Sequence, residues 1–180
     1  MLETNRLELH NVGDKESHID DIVALWTNSK VQISYEGDQS LRDKAKVKEI
    51  IKKHCEKPFH AVLVLKETGA FIGECSIRVF PGTSRNGNFA IAILPEYWNQ
   101  GYATEASSFA VDHGFRWMAL HRLSIDVYAT NTAAMKLYTG LGFKKEGHRK
   151  EMWWHDGKWI DDYQLGLLDT EYWALKSAPS

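Results

Sequence analysis

The sequence predicts an α/β (α+β) protein built on a mixed, mostly antiparallel central sheet flanked by helices. Apolar residues switch between alternating runs and helical stripes in the order strand, two helices, three strands, helix, strand, helix, strand pair. The almost wholly apolar run Phe89–Leu94 is followed by a long helical stripe and then by alternating Leu123, Ile125 and Val127. Strands on either side of such a helix are parallel and joined by a right-handed crossover. Turn signals at Glu67-Thr68-Gly69 and Asp156-Gly157 lie between extended runs, so those pairings are antiparallel hairpins. The sheet is therefore mixed and not doubly wound.

Leu7 and Leu9 alternate with charged neighbours and give a short first strand. Ser17-His18-Ile19-Asp20 has capping-box spacing, and Ile19, Ile22, Val23 and Trp26 form the apolar stripe behind it. Ser40-Leu41-Arg42-Asp43 repeats the cap signal before Val47, Ile50, Ile51 and Cys55, and Pro58 ends that helix. Phe59–Leu65 and Phe71–Phe80 flank the first hairpin turn. Pro81-Gly82 opens a loop to Gly87, and Phe89–Leu94 reads as a central strand covered on both faces and stopped by Pro95. A helix from about Tyr102 to Leu120 places Ala106, Phe109, Ala110, His113 and Trp117 on its inner side. Asn131 is a good N-cap for a helix carrying Ala134, Leu137, Tyr138 and Leu141, and Gly142 sits where a C-cap belongs. The two last extended runs surround Asp156-Gly157, a pair suited to a tight hairpin.

The length of 180 residues fits a single domain over 1–180, and 43% hydrophobic with 26% charged residues is an ordinary globular mix. Lys+Arg 22 against Asp+Glu 24 leaves a net charge of -2, which argues against a nucleic-acid partner held by phosphate neutralisation. Cys55 and Cys75 fit neither a zinc spacing nor Cys-x-x-Cys, and two buried thiols are expected rather than a disulfide. Eight scattered histidines give no metal-ligand spacing, so no metal is implied. The charged N-terminus and the short apolar runs predict a cytoplasmic protein without membrane attachment.

The chemistry is concentrated in two segments. Trp98-Asn99-Gln100-Gly101-Tyr102-Ala103-Thr104 joins an apolar strand to a long helix. Successive backbone N–H groups at such a turn, backed by the helix dipole, can hold a pyrophosphate, and Gly101 and Ala103 allow close approach. Neither Gly-Lys-Ser/Thr nor Gly-x-Gly-x-x-Gly is present, so this is not a triphosphatase loop or a dinucleotide fingerprint. After the next strand come Asn131-Thr132-Ala133-Ala134-Met135-Lys136-Leu137-Tyr138 and Gly140-Leu141-Gly142-Phe143. In this order and spacing the two segments resemble the GNAT superfamily of N-acetyltransferases, over roughly Phe71 to Leu168. Lys145-Glu146-Gly147-His148 and Asp156-Gly157-Lys158-Trp159-Ile160-Asp161 look like the tail of the branch that holds spermidine N-acetyltransferases and ribosomal-protein N-terminal acetyltransferases.

The resemblance implies that the strand before the glycine turn and the strand after the long helix splay apart, and that the pantetheine of acetyl-CoA enters between them. By motif position, Ile91, Ala92 and Ile93 would supply backbone partners near pantetheine and thioester. Trp98, Asn99, Gln100, Gly101, Tyr102, Ala103 and Thr104 would wrap the pyrophosphate. Asn131 would bond the pantetheine chain, with Ala134 and Lys136 beside it. Trp98 stands where the superfamily usually has Gln or Arg, and Asn88 where relatives often place a glutamate that serves as general base. An amide accepts no proton usefully at neutral pH, so base catalysis needs another carboxylate or a water chain.

The implied acceptor is a primary amine, a polyamine or a protein N-terminus. With a pKa of about 10.4 it arrives protonated and must lose a proton before it attacks the thioester. The resemblance implies direct attack, through a tetrahedral intermediate without an acyl-enzyme, and neither cysteine matches a nucleophile position in the family motifs. A backbone N–H of Phe89–Leu94 would hold the oxyanion. Tyr138 matches the family's general acid, which protonates the departing thiolate. A noncatalytic CoA-binding module that kept the fold and lost the base is the alternative that Asn88 motivates. The branch also contains homodimers.

Other residues have plainer readings. Lys44, Lys48 and Lys52 are expected on a solvated helix face, and His113 in the core. Trp153, Trp154 and Trp159 are expected to pack, with an aromatic wall for a cationic amine as the competing role. Glu36, Glu74, Glu151, Asp161 and Asp162 are the carboxylates that could attract an amine.

Overall fold

The computed structural model describes residues 1–35, 42–54 and 58–177. Its strands are β1 (Leu2–Glu3), β2 (Leu7–Asn11), β3 (Phe59–Leu65), β4 (Phe71–Val79), β5 (Asn86–Ile93), β6 (Arg122–Tyr128), β7 (Lys144–His155) and β8 (Lys158–Leu168). Its helices are α1 (Glu16–Trp26), α2 (Ser29–Tyr35), α3 (Lys44–His54), α4 (Tyr102–Arg116), α5 (Thr132–Gly140) and α6 (Asp169–Ser177). The sheet order is β1-β2-β3-β4-β5-β6-β8-β7, and β5 and β6 run parallel. This is the mixed, mostly antiparallel sheet that the sequence predicts. The chain forms two compact units, Met1–Arg78 with Ala90–Ala110, and Val79–Phe89 with Val111–Ser180.

In the first unit β2 pairs antiparallel with β3 from Leu7↔Leu65 to Asn11↔Ala61, and β3 pairs with β4. Val12, Ile19, Ile22, Val23, Val47, Ile51, Val62 and Val64 form one buried cluster under α1 and α3. Lys48 joins these helices by ion pairs to Glu16 and Asp20, both at 2.9 Å, so the lysine face is at the surface but not idle.

Both expected helix starts move. Ser17 lies inside α1, whose N-cap is Lys15 without a side-chain cap bond. The chain already winds through a short 3-10 turn, Val12–Asp14, capped by Asn11, because Val12 is drawn into the core. Ser40, Leu41 and Cys55 lie outside the described residues. The cap of α3 is Asp43, whose carboxylate accepts from Ala45 N–H at 2.9 Å and Lys46 N–H at 3.4 Å.

In the second unit β6 pairs along its length with β8, from Arg122↔Leu168 to Tyr128↔Asp162. Asp156 (φ 45) and Gly157 (φ 78) both occupy the left-handed region, as the tight β7–β8 turn requires. Helix α4 stops at Arg116, four residues before the expected end at Leu120. Trp117 and Met118 N–H both turn back to His113 O, and Ala119 is left-handed at φ 50. Trp117 is consequently 78% exposed and not a core residue.

Helix α6 is absent from the sequence reading. Tyr172 anchors it: its ring stacks on Phe115 at 4.8 Å, its hydroxyl donates to Asp112, and Arg116 Nε donates to that hydroxyl at 3.2 Å.

His113 is half-buried, not fully in the core. Burial pushes its imidazole below the ordinary pKa, against the pull of Asp112. The fold therefore favours the neutral ring. Stability from this group is complete above the unfolded value of about 6.5 and is lost as the pH falls below it through the folded pKa. His113→Gln is expected to flatten the pH dependence of urea-unfolding stability below about pH 6.5. A slope equal to that of the unmodified chain would contradict this assignment.

Candidate active site

Strand β5 carries the first group of candidate residues. Its parallel ladder with β6 has the rungs Asn86↔Arg122, Gly87↔Leu123 and Asn88↔Ser124. The strand itself continues to Ile93. It begins earlier than expected, at Asn86, and is not covered throughout, because Ala90 and Ile91 are only half-buried. Asn88 Nδ2 lies 3.3 Å from Ser124 O, and Ser124 Oγ donates to Gly87 O at 3.1 Å, so the amide closes the last rung.

Beyond Ile93 the first unit builds the glycine turn. Leu94 N–H donates to Ile72 O at 2.8 Å and anchors the strand end. Pro95–Tyr97 forms a 3-10 turn, and Trp98 Nε1 reaches back to Ile93 O at 2.7 Å. That carbonyl, expected to serve pantetheine, already accepts from the Trp98 indole. Gln100 Nε2 donates to Glu96 O at 2.8 Å. Asn99 (φ 59) and Gly101 (φ 82) are left-handed, which turns the chain sharply into α4. Glu105 N–H donates to Gly101 O at 3.0 Å. No described residue accepts from the N–H groups of Tyr102, Ala103 or Thr104. Open amides at the positive end of a 15-residue helix fit an anionic group such as a diphosphate.

The second unit supplies the other candidates. Asn131 caps α5, with its Oδ1 accepting from Ala134 N–H at 3.1 Å, which leaves its amide NH₂ as a donor. Ala134 is half-buried and Lys136 exposed. Tyr138 is 5% exposed, set edge-on to Phe89 (6.3 Å, 83°) and Phe143 (5.9 Å). Phe143 N–H returns to Tyr138 O at 3.0 Å through Gly142 (φ 97), the expected helix stop. The structure thus brings Ile91, Ala92 and Ile93 together with Trp98–Thr104 in one unit, and Asn131, Ala134, Lys136 and Tyr138 with Asn88 in the other.

Most of the carboxylates offered as amine attractors are already engaged. Glu74 is buried, accepting from Trp26 Nε1 at 2.5 Å and bonded to His60 Nε2. Asp161 accepts from Glu151 N–H and is bonded to His148, and these bonds hold its pKa below the ordinary value. Asp162 is buried, which raises its pKa against the opposing hold of Arg149. Glu36 lies outside the described residues. Cys75 is a buried free thiol whose pKa burial pushes far up, which removes it as a nucleophile.

The tryptophans depart from expectation, for Trp153, Trp154 and Trp159 are all exposed, at 37%, 56% and 56%. Trp154 and Trp159 face each other across the hairpin at 5.2 Å, and Trp153 meets Tyr128 edge-on at 5.9 Å.

The sequence profile of the acetyltransferase (GNAT) domain family matches residues 6–144. The chain belongs to the GNAT acetyltransferase family. The chain is 31% identical over 110 residues to the uncharacterized N-acetyltransferase p20 of Bacillus licheniformis, covering 61% of this chain and 62% of that protein. It therefore spans somewhat less than two thirds of that relative. With the spermidine N(1)-acetyltransferase of Vibrio cholerae it shares 25% identity over 146 residues, covering 81% of this chain and 84% of that protein. The fold is similar to the crystal structure of spermidine N-acetyltransferase from Vibrio cholerae in complex with CoA and spermine. The TM-score is 0.82 at 24% identity, covering 94% of this chain and 99% of that one. That likeness shows the fold, and the family profile spans both the glycine turn and the Asn131–Tyr138 helix of the chain.

Proposed function

We propose that the acetyltransferase transfers an acetyl group from acetyl-CoA to a primary amine, either a small amine such as a polyamine or the N-terminal amine of a protein. The observation that carries this reading is the family match over residues 6–144, which takes in every candidate ligand and Tyr138. The open amides of Tyr102, Ala103 and Thr104 support a diphosphate carrier, and the spermidine N(1)-acetyltransferase relative supports an amine acceptor.

Acetyl-CoA supplies an activated thioester carbonyl. The turn Trp98–Thr104 binds its diphosphate through backbone N–H groups. Ile91, Ala92 and Ile93 offer main-chain partners to the pantetheine arm, and the Asn131 amide donates to it. A backbone N–H of β5 steadies the charge that develops on the carbonyl oxygen as the amine adds. The Tyr138 hydroxyl gives its proton to the leaving sulfur. Asn88 holds Ser124 and takes no proton, so the amine loses its own to water or to a carboxylate other than position 88.

A mass-spectrometric panel of amines and N-terminal peptides with acetyl-CoA tests this. Acetylated product with one equivalent of free thiol is expected for at least one acceptor class. Binding of acetyl-CoA without product from any acceptor would favour the second reading, a noncatalytic CoA-binding module, for which Asn88 in place of a carboxylate is the motive.

A further inference from the structure

Strand β2 is preceded by a cation that the proposed chemistry has not used. Arg6 Nε donates to Glu105 Oε2 at 2.7 Å, Arg6 N–H donates to Glu105 Oε1 at 2.7 Å, and Thr4 Oγ1 donates to the same oxygen at 2.5 Å. Glu105 lies in the first turn of α4. Its partial burial works to raise its pKa, but these bonds hold it below the ordinary carboxylate value. The guanidinium also lies 4.3 Å over the Tyr102 ring. Three independent contacts thus fix Arg6 against the start of the helix, all within one compact unit.

The remaining arm of the fork has a specific target. Arg6 Nη1 donates to Gln100 O at 3.0 Å. In a helix begun one residue earlier, that carbonyl would accept from Thr104 N–H. The ladder instead starts one residue later, with Glu105 N–H on Gly101 O. Arg6 therefore holds, away from the helix ladder, the carbonyl whose helical partner would be Thr104 N–H. It also crowds the turn, because a Cβ on Gly101 would lie 3.3 Å from Arg6 Nη2, and Gly101 is already left-handed. The side chain is 42% exposed, so its charge reaches solvent beside the open amides.

We infer that Arg6 is the positioning residue of the diphosphate turn, holding the Gln100 carbonyl so that the Thr104 amide stays open to the phosphate oxygens beside those of Tyr102 and Ala103. This rests on the reading of Trp98–Thr104 as the diphosphate turn of acetyl-CoA. Lysine replaces arginine only in part here, since one ammonium on a flexible stem keeps the charge but cannot hold the Gln100 carbonyl and the Glu105 carboxylate together in a fixed fork.

The test compares acetyl-CoA with acetyl-pantetheine, which carries the same thioester arm without the diphosphate, using calorimetry and steady-state kinetics. Arg6→Met is expected to weaken acetyl-CoA binding about tenfold, as loss of a charge-assisted hydrogen bond does. KM for acetyl-CoA rises with it, kcat stays within about twofold, and acetyl-pantetheine is used as well as before. Arg6→Lys recovers part of the loss and keeps the comparison available if the methionine variant folds poorly. Equal losses for both carriers, or no loss for acetyl-CoA, would overturn the inference. An unmodified chain that binds acetyl-CoA no better than acetyl-pantetheine would instead sink the diphosphate reading, and the inference with it.

Discussion

Replacing Tyr138 with phenylalanine is expected to lower kcat by about 10²- to 10⁴-fold, the range for loss of a positioned general acid, while acetyl-CoA affinity stays unchanged. The substitution is unusually clean. Tyr138 is 5% exposed and its ring meets Phe89 and Phe143 edge-on, contacts that a phenylalanine ring keeps. Only the hydroxyl is removed. Because the proton is needed as the sulfur leaves, the loss falls on kcat and kcat/KM together. It should shrink for an acyl donor whose thiol is more acidic, since a better leaving group depends less on protonation. Unchanged turnover in the phenylalanine variant would remove Tyr138 from the chemistry and leave it as a packing aromatic.

Gly73→Ala should be the most damaging single methyl in the first unit. An added Cβ would lie 2.2 Å from Ala92 O, 2.9 Å from Ile93 Cα and 3.0 Å from Ile93 Cδ1. The first two are backbone atoms of β5 and cannot swing aside. The strand must shift, at about 1–3 kcal/mol for overpacking of this kind. The same shift displaces Ala92 and Ile93, both proposed partners of the pantetheine arm. Activity should therefore fall further than the unfolded fraction explains. Gly140→Ala, with nothing within 4 Å of the new Cβ and a helical setting, is the matched control. It is expected to be neutral or to stabilise by up to about 1 kcal/mol. Urea unfolding and kcat/KM measured on both variants decide the matter. Equal stability of the two would mean that β5 does not sit against Gly73 as described.

Local signals were legible where one short stretch of chain determines the geometry. Asp156-Gly157 adopts the double left-handed turn, Asn131 caps its helix, and Gly142 stops it. Each needs only a particular residue at a particular φ or with one side-chain oxygen. The parallel relation of β5 and β6 was legible too, because an intervening long helix leaves the chain few other routes. Signals that depend on distant partners were not. Ser17 has cap spacing, yet burial of Val12 starts the winding earlier and the cap falls to another turn. The stripe through Trp117 continues the helical period, but the chain turns back at His113 O and sends the indole into solvent.

The same limit applies to the site. The glycine turn and Asn131–Tyr138 carry their own patterns and were found. Arg6 and Glu105 lie 99 positions apart and have no pattern in common. A charged residue beside a first strand and an acid in a helix's first turn are each ordinary. Their pairing exists only in the fold. Alternation also could not say which tryptophans of the last hairpin would be covered, since β7 is the terminal strand of the sheet and its side chains are largely exposed.

Amide resonances of a ¹⁵N-labelled chain, followed while acetyl-CoA is added to saturation, report whether the glycine turn holds the diphosphate. The largest displacements are expected at the backbone N–H groups of Tyr102, Ala103 and Thr104, with smaller ones at Ile91–Ile93 and at the side-chain amide of Asn131. Saturation of the chain with those resonances unmoved would contradict it.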